Sequence, residues 1–250
     1  MTLLEVKNLS KSFVNKGITI EAVNKVSFKI EAGQCVGLLG GSGSGKSTIA
    51  KLLTRLIDHT EGEIYLEGQD ISQYKGRELA SVYEKMQLVF QEPRDSFDPR
   101  LTLGKSISEP LLNRGYTKGA IKERLGKLLE QCGLPLEIAD RYPHQVSGGQ
   151  CQRAAIARAL ALGPKLLICD EATSALDYDT QREILKLLQR LGRENKLALL
   201  FISHDISLVE QLCDYVLVMD QGQLVEGGFT KELLANPQAS YTKSLIAAAF

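Results

Sequence analysis

Nine consecutive residues, Gly40-Gly41-Ser42-Gly43-Ser44-Gly45-Lys46-Ser47-Thr48, have the types and spacing that phosphate chemistry requires. They fit the pattern GxxxxGK followed by Ser or Thr, in which glycines let successive backbone N–H groups turn inward around phosphate oxygens where a side chain would block the approach. In that pattern Lys46 reaches the β and γ phosphates and the Ser47 hydroxyl ligates Mg²⁺. A glycine and serine run can also be a flexible linker, but a linker needs neither the lysine nor flanking apolar segments. Here the apolar run Val36-Gly37-Leu38-Leu39 precedes the loop, and Ile49, Leu52, Leu53 and Leu56 follow it at helical spacing. The predicted context is therefore strand, loop and helix, with the partial positive charge of the helix N-terminus directed at an anion.

Other polar groups stand where a phosphate site would use them. Lys165-Leu166-Leu167-Ile168-Cys169 is a short apolar strand ending abruptly in Asp170-Glu171. So apolar a strand is buried on both faces, as parallel strands are, and ligands bind at the carboxyl ends of such strands. Asp170 is then placed to hold Mg²⁺ and Glu171 to polarise a water for attack on a γ-phosphate. Leu197 to Ile202 repeats the arrangement and ends at Ser203-His204-Asp205, where His204 suits a hydrogen bond to the γ-phosphate or to that water. Gln91 follows the strand Met86 to Phe90; its amide either caps backbone groups or reaches a metal ion or an attacking water. Ser147-Gly148-Gly149-Gln150 precedes a helix rich in alanine and arginine, Arg153 to Leu160, and is either a second anion site at a helix start or simply a well-capped turn into it. Phe13, placed after the first strand and ahead of the phosphate loop, is either core or a platform for stacking a nucleotide base.

The elements that must position these groups read as follows. The first thirty residues alternate as half-buried strands do, with Leu4 and Val6 early and Val26, Phe28 and Ile30 later, around a polar loop containing Gly17. Gly62 to Gly68 is a short strand between glycines. From about Arg94 to Pro143 strand signals stop, and Ile121, Leu125, Leu128, Leu129 and Cys132 mark a helical insertion. A helix with Ile184, Leu187, Leu188 and Leu191 on one face follows Asp177. The segments Tyr215 to Asp220 and Gln223 to Val225 form a hairpin, and a helical tail runs to Phe250.

The chain has 250 residues, enough for a substantial core. Its 30 basic and 30 acidic residues give no net field, so nothing argues for a nucleic-acid partner. No apolar run approaches the roughly eighteen residues of a membrane span, and Met1 to Glu5 lacks a signal peptide's apolar core; a cytoplasmic protein is expected. The cysteines Cys35, Cys132, Cys151, Cys169 and Cys213 form no CxxC pair, which points to small hydrophobes and away from a zinc site or a disulfide framework.

Taken in order, Gly40 to Thr48, Gln91, Ser147 to Gln150, Asp170-Glu171, Ser174 to Asp177 and His204 make the chain resemble the ATP-binding subunit of an ABC transporter over nearly its whole length. The resemblance implies an α/β fold: a P-loop NTPase, RecA-like core with a mostly parallel sheet, an N-terminal antiparallel β part and a helical subdomain. It divides one ABC ATPase domain, 1–250, into a core of 1–93 and 144–250 and a helical subdomain of 94–143. In the family's terms Gly40 to Thr48 is the Walker A loop, Gln91 the Q-loop and a contact to Mg²⁺, Ser147 to Gln150 the signature and Leu166 to Asp170 the Walker B strand. Ser174 to Asp177 is the D-loop, with Asp177 at the nucleotide, His204 the switch histidine, Glu171 the catalytic base and Phe13 the adenine-stacking aromatic. Two such domains pair head to tail with two ATP molecules between them, so that Ser147 and Gly149 contact the γ-phosphate of ATP held by the partner. Val146, Cys151 and Cys169 depart from the commonest family residues without removing a required group.

Phe90-Gln91-Glu92-Pro93, Asp98 to Gly104, Glu109-Pro110-Leu111 and the tail Asn236-Pro237 with Tyr241 to Leu245 are similar to importers of dipeptides, oligopeptides and nickel. The short end beyond the tail motif looks more like the nickel or metallophore branch. This similarity implies a heterodimer of two ATPase subunits, two membrane permease subunits, an extracellular solute-binding protein acting indirectly, and a place on the cytoplasmic face of the membrane. The membrane subunits would meet the insertion around Asp98 to Glu109. An exporter or lipid-releasing ATPase shares every catalytic motif. A small-molecule kinase would leave Ser147 to Gln150 without a role, and a non-hydrolysing regulatory subunit would have no use for Glu171 and His204.

Overall fold

The computed structural model describes residues 1–15, 18–174 and 176–249. Gly17, Ala175 in the Ser174 to Asp177 segment, and Phe250 lie outside the described residues. The chain opens with β1 (Thr2–Asn15) and β2 (Ile18–Glu31), a long antiparallel pair, and enters β3 (Cys35–Leu39), the phosphate loop and α1 (Lys46–Leu53). Next come β4 (Glu61–Leu66), β5 (Gln69–Asp70), α2 (Leu79–Lys85) and β6 (Met86–Val89). The insertion supplies α3 (Leu103–Asn113) and α4 (Lys118–Gln131), with no strand among the described residues of 94–143. Then follow α5 (Gly148–Ala159), β7 (Leu166–Asp170), α6 (Tyr178–Asn195), β8 (Ala198–Ser203) and α7 (Ile206–Leu212). The chain ends with the hairpin β9 (Tyr215–Asp220) and β10 (Gln223–Phe229), then α8 (Thr230–Ala235) and α9 (Ser240–Ala249).

Two sheets result. β2, β1, β4 and β5 lie side by side in antiparallel order; the other sheet runs β10, β9, β3, β8, β7, β6, parallel throughout except for β10. Every residue of β3, β7 and β8 is buried, as expected for parallel strands covered on both faces. The two-residue side-chain period divides each strand between two cores. Leu167 and Cys169 of β7 face the helices α3 to α7, whereas Leu166 and Ile168 pack with α1 and the antiparallel sheet. Fully burying one such leucine stabilises the fold by about 1.5–3 kcal/mol, so the strand's register is strongly determined.

Register is what places the site. β8 pairs Ser203 with Leu39 of β3 and Ile202 with Asp170 of β7, while Val89 of β6 pairs with Cys169. The carboxyl ends of four parallel strands therefore finish level, and the residues just beyond them share one edge.

The insertion forms because its helices are well capped and amphipathic. The Thr102 hydroxyl accepts from Lys105 N–H and the Thr117 hydroxyl from Ala120 N–H, each satisfying an otherwise open helix donor. Ile107, Leu111, Leu128 and Leu129 then pack toward α5 in one core. Three details differ from the sequence reading. Phe13 lies within β1, not beyond it, because β1 and β2 continue pairing through Asn15 and Ile18. The tail is two helices, parted at Asn236-Pro237. The helix behind the signature begins at Gly148, earlier than Arg153.

Candidate active site

Gly45 ends the phosphate loop with φ 105°, a left-handed conformation open to glycine, and a methyl group there would stand 2.2 Å from the Ala22 carbonyl oxygen. With no side-chain cap on α1, its first N–H groups remain free to bind an anion. The loop is fastened from outside as well: the Ser44 carbonyl accepts from Gly222 N–H, in the β9–β10 turn, at 3.0 Å. Lys46 is only 4% exposed, and its Nζ donates to the carbonyls of Gly40 and Gly41, both at 2.8 Å. Burial pulls the ammonium below the ordinary lysine range, and the Glu171 and Asp170 carboxylates act against that. A desolvated cation beside open N–H groups favours a polyanion.

The acids meet it from β7. Ser47 Oγ donates to Asp170 Oδ1 at 3.0 Å. Asp170 is 7% exposed, and burial pushes its carboxyl above the ordinary aspartate range against the opposing Ser47 hydrogen bond. A divalent cation held between this hydroxyl and this carboxylate would relieve the desolvated charge, so the pair fits Mg²⁺, which takes one or two carboxylates and completes its shell with phosphate and water oxygens. Glu171 leaves the strand with φ 48°, a conformation rare outside glycine and asparagine, while its N–H still bonds the Ile202 carbonyl at 3.0 Å. The bend turns its side chain toward His204, whose Nδ1 is 3.6 Å from Glu171 Oε1, beyond hydrogen-bond length and within ion-pair range. Gln91 lines an open cleft of about 420 Å³ together with Ser47, Lys51, Asp95, Ser96 and Asp170. Lys46, Ser47, Gln91, Asp170, Glu171 and His204 are thus brought to one place.

Phe13 is 41% exposed and pairs with Ile20 across the hairpin, so the choice between core and platform falls on the exposed side. Lys11 Nζ lies 5.0 Å from its ring centroid.

Ser147 to Gln150 make their contacts elsewhere. Ser147 Oγ accepts from Gln150 N–H at 3.2 Å and Gln150 Oε1 accepts from Ser147 N–H at 3.1 Å, a reciprocal capping box. Gly149 presses on α6, where a methyl group would stand 2.5 Å from Thr180 Cγ2. Thr180 in turn binds the α6 cap: Asp177 accepts its N–H at 3.0 Å and its hydroxyl at 2.7 Å, which holds the Asp177 carboxyl below the usual range. No hydrogen bond joins Ser147 to Gln150 to the phosphate loop among the described residues.

Two arginines that the sequence reading passed over tie these regions. Arg94 Nη2 donates to the Val146 carbonyl at 3.0 Å, linking the segment after Gln91 to the residue before Ser147. Arg158 of α5 donates to the Ser96 carbonyl and lies 4.4 Å from the Phe97 ring centroid. Neither stands at a spacing that sequence alone could flag. The buried cysteines behave as hydrophobes: desolvation pushes the Cys151 thiol to about 11 and Cys132 to about 12. Among the described residues no helix is long and apolar enough to cross a membrane.

Comparison with known proteins agrees with this geometry. Residues 23–174 match the family model described as ABC transporter. A putative peptide import ATP-binding protein of Brucella ovis is 42% identical over 247 residues, covering 98% of this chain and 78% of that protein. A probable peptide ABC transporter ATP-binding protein of Sinorhizobium fredii is 45% identical, covering 99% of this chain and 72% of that one. A glutathione import ATP-binding protein of Pectobacterium atrosepticum is 45% identical over 98% of this chain, which spans 41% of that longer protein. Among solved structures, the ATP-binding cassette MJ0796, as a dimer in a post-hydrolysis state bound to ADP and Pi, is similar with a TM-score of 0.84 at 30% identity, covering 91% of this chain and 99% of that one.

Proposed function

Because the chain belongs to the ABC transporter ATP-binding family, we propose that it is the ATP-hydrolysing subunit of an importer that drives cargo uptake through separate membrane subunits. The observation that carries this reading is the shared strand edge, where register sets Lys46, Ser47, Asp170, Glu171 and His204 around one space.

In this reading the backbone N–H groups of Gly43 to Thr48 and the Lys46 ammonium bind the phosphates of ATP, and Phe13 stacks on the adenine. Ser47 and Asp170, with Gln91 beside them, would hold Mg²⁺, which when bound would supply charge neutralisation for the phosphates. Glu171 accepts the proton of the attacking water as its oxygen bonds to the γ-phosphorus, and the bond to the β-phosphate oxygen breaks to leave ADP and phosphate. His204, near both Glu171 and that space, orients the water or the γ-phosphate. Ser147 to Gln150 and Asp177 complete the site of a second ATPase subunit. The pair is a heterodimer, as is usual in the importer group that the motifs resemble. The helical subdomain, residues 94–143, meets the two membrane permease subunits, which receive cargo from an extracellular solute-binding protein. The chain itself sits peripherally at the cytoplasmic face.

The relatives named for peptide and glutathione import favour a peptide-class cargo. A nickel or metal-chelate cargo is the second reading, carried by the similarity of residues 90–111 to both kinds of importer. The test of the chemistry is Glu171→Gln, which keeps shape and binding groups but removes the base. Hydrolysis by the assembled transporter falls by about 10²–10⁴-fold while ATP still binds. Unchanged hydrolysis would overturn the assignment.

A further inference from the structure

A contact spanning nearly the whole chain reaches the phosphate loop from the tail. Tyr241, near the start of α9, accepts the Gly41 N–H on its hydroxyl oxygen at 2.8 Å. That N–H belongs to the Gly40–Gly41 peptide unit, and the carbonyl of the same unit, Gly40 O, is one of the two that hold Lys46 Nζ at 2.8 Å. In a planar trans peptide the N–H and C=O point in opposite directions and cannot turn independently. One plane is thus gripped at both ends, by the tail on one side and by the lysine on the other. Rotating it away from Tyr241 also rotates the carbonyl away from Lys46.

The hydroxyl is itself held in place. The Glu226 carboxylate on β10 accepts the N–H groups of Gln238 and Ala239, at 2.8 and 3.1 Å, immediately before α9. Tyr241, Leu245 and Ile246 pack against the main core, and Thr242 is buried beneath them. The helix that delivers the hydroxyl is therefore fixed at its entry and along its inner face.

We infer that Tyr241 is a positioning residue for nucleotide binding, which holds the Gly40–Gly41 peptide so that Lys46 stands ready for the β and γ phosphates. The inference rests on the reading of Gly40 to Thr48 as the ATP loop. It makes the tail helix part of the nucleotide site without touching nucleotide.

Tyr241→Phe removes the hydroxyl and keeps the ring, and the test is titration of the full chain with ATP at fixed Mg²⁺, beside thermal unfolding without nucleotide. The expected result is a Kd for ATP raised roughly 3- to 10-fold, because the freed peptide must be ordered again on binding, with nucleotide-free Tm lowered by no more than about 2–4 °C, the order of one lost hydrogen bond. An unchanged Kd overturns the inference. So does a Tm loss in Tyr241→Leu unaccompanied by any change of Kd in Tyr241→Phe, which would make the residue a packing element. If the parent chain itself binds no ATP, the reading of the loop fails first, and that outcome is distinguished by the parent titration alone.

Discussion

The edge at the end of β7 and the start of α5 both gather polar groups, and they are built in opposite ways. At β7 the groups come from segments far apart in sequence, and part of the set is held at a cost: a buried Asp170, a buried Lys46 and a left-handed Glu171, beside the exposed Ser47, Gln91 and His204. At α5 the groups come from four consecutive residues, two of which, Ser147 and Gln150, already bond each other through the capping box. The first region holds buried charge, and the second holds none. On the proposed reading, in which α5 completes the site of a second subunit, a surface that stays exposed before pairing is better served by capped, uncharged groups than by desolvated charges.

The comparison breaks most visibly at Lys46. Lys46→Ala removes the cation that the strand-end region holds for phosphate, and the Kd of the isolated chain for ATP should rise at least about 100-fold, the order expected when a charge-assisted contact leaves its partner unpaired. A small change measured by titration would place phosphate binding elsewhere. The matching change at α5 should behave differently. Ser147→Ala removes a cap worth about 1 kcal/mol, so nucleotide-free Tm falls by roughly 2–4 °C, while the isolated chain binds ATP as before. Turnover of the assembled transporter should fall, roughly tenfold. A weakened ATP affinity in the isolated chain would erase the distinction between the regions.

The smallest effect sharpens it from the stability side. Since burial raises the Asp170 carboxyl pKa in the fold, that group's contribution is fullest below the unfolded value and is lost as pH rises through the folded value. At neutral pH the charge is a net cost. Asp170→Asn should therefore raise the Tm of the nucleotide-free chain, by roughly 2–4 °C if the relief is about 1 kcal/mol, and the gain should vanish toward pH 4. Thermal unfolding across that range reads it, and a lowered Tm at pH 7 would contradict the assigned cost.

Most of the strand-end region was legible from residues alone, because an apolar strand with a polar stop states its own ending. Leu166 to Asp170 and Leu197 to Ser203 both do this, and they proved adjacent and level. The helix α2 was passed over since Leu79 and Val82 offer too few apolar positions to show a period. Phe13 was undecidable because a strand residue's face depends on register with Ile20, which the loop between them does not announce. The contacts of Arg94, Arg158 and Tyr241 are hidden from the sequence for another reason. Each acts on a backbone group distant in sequence, and a carbonyl or an N–H carries no residue type to match.

The contact between Gly149 and Thr180 also bears on how such a chain can change over generations. A methyl group at 149 would collide with Thr180 Cγ2, whereas the next atoms of that side chain are 3.8 Å away. Serine at 180 lacks that methyl and keeps the hydroxyl that Asp177 binds. The two positions are therefore coupled: alanine at 149 forces the Thr180 side chain to shift, and serine at 180 removes that cost in advance, so the order of the two steps matters to a lineage that takes them.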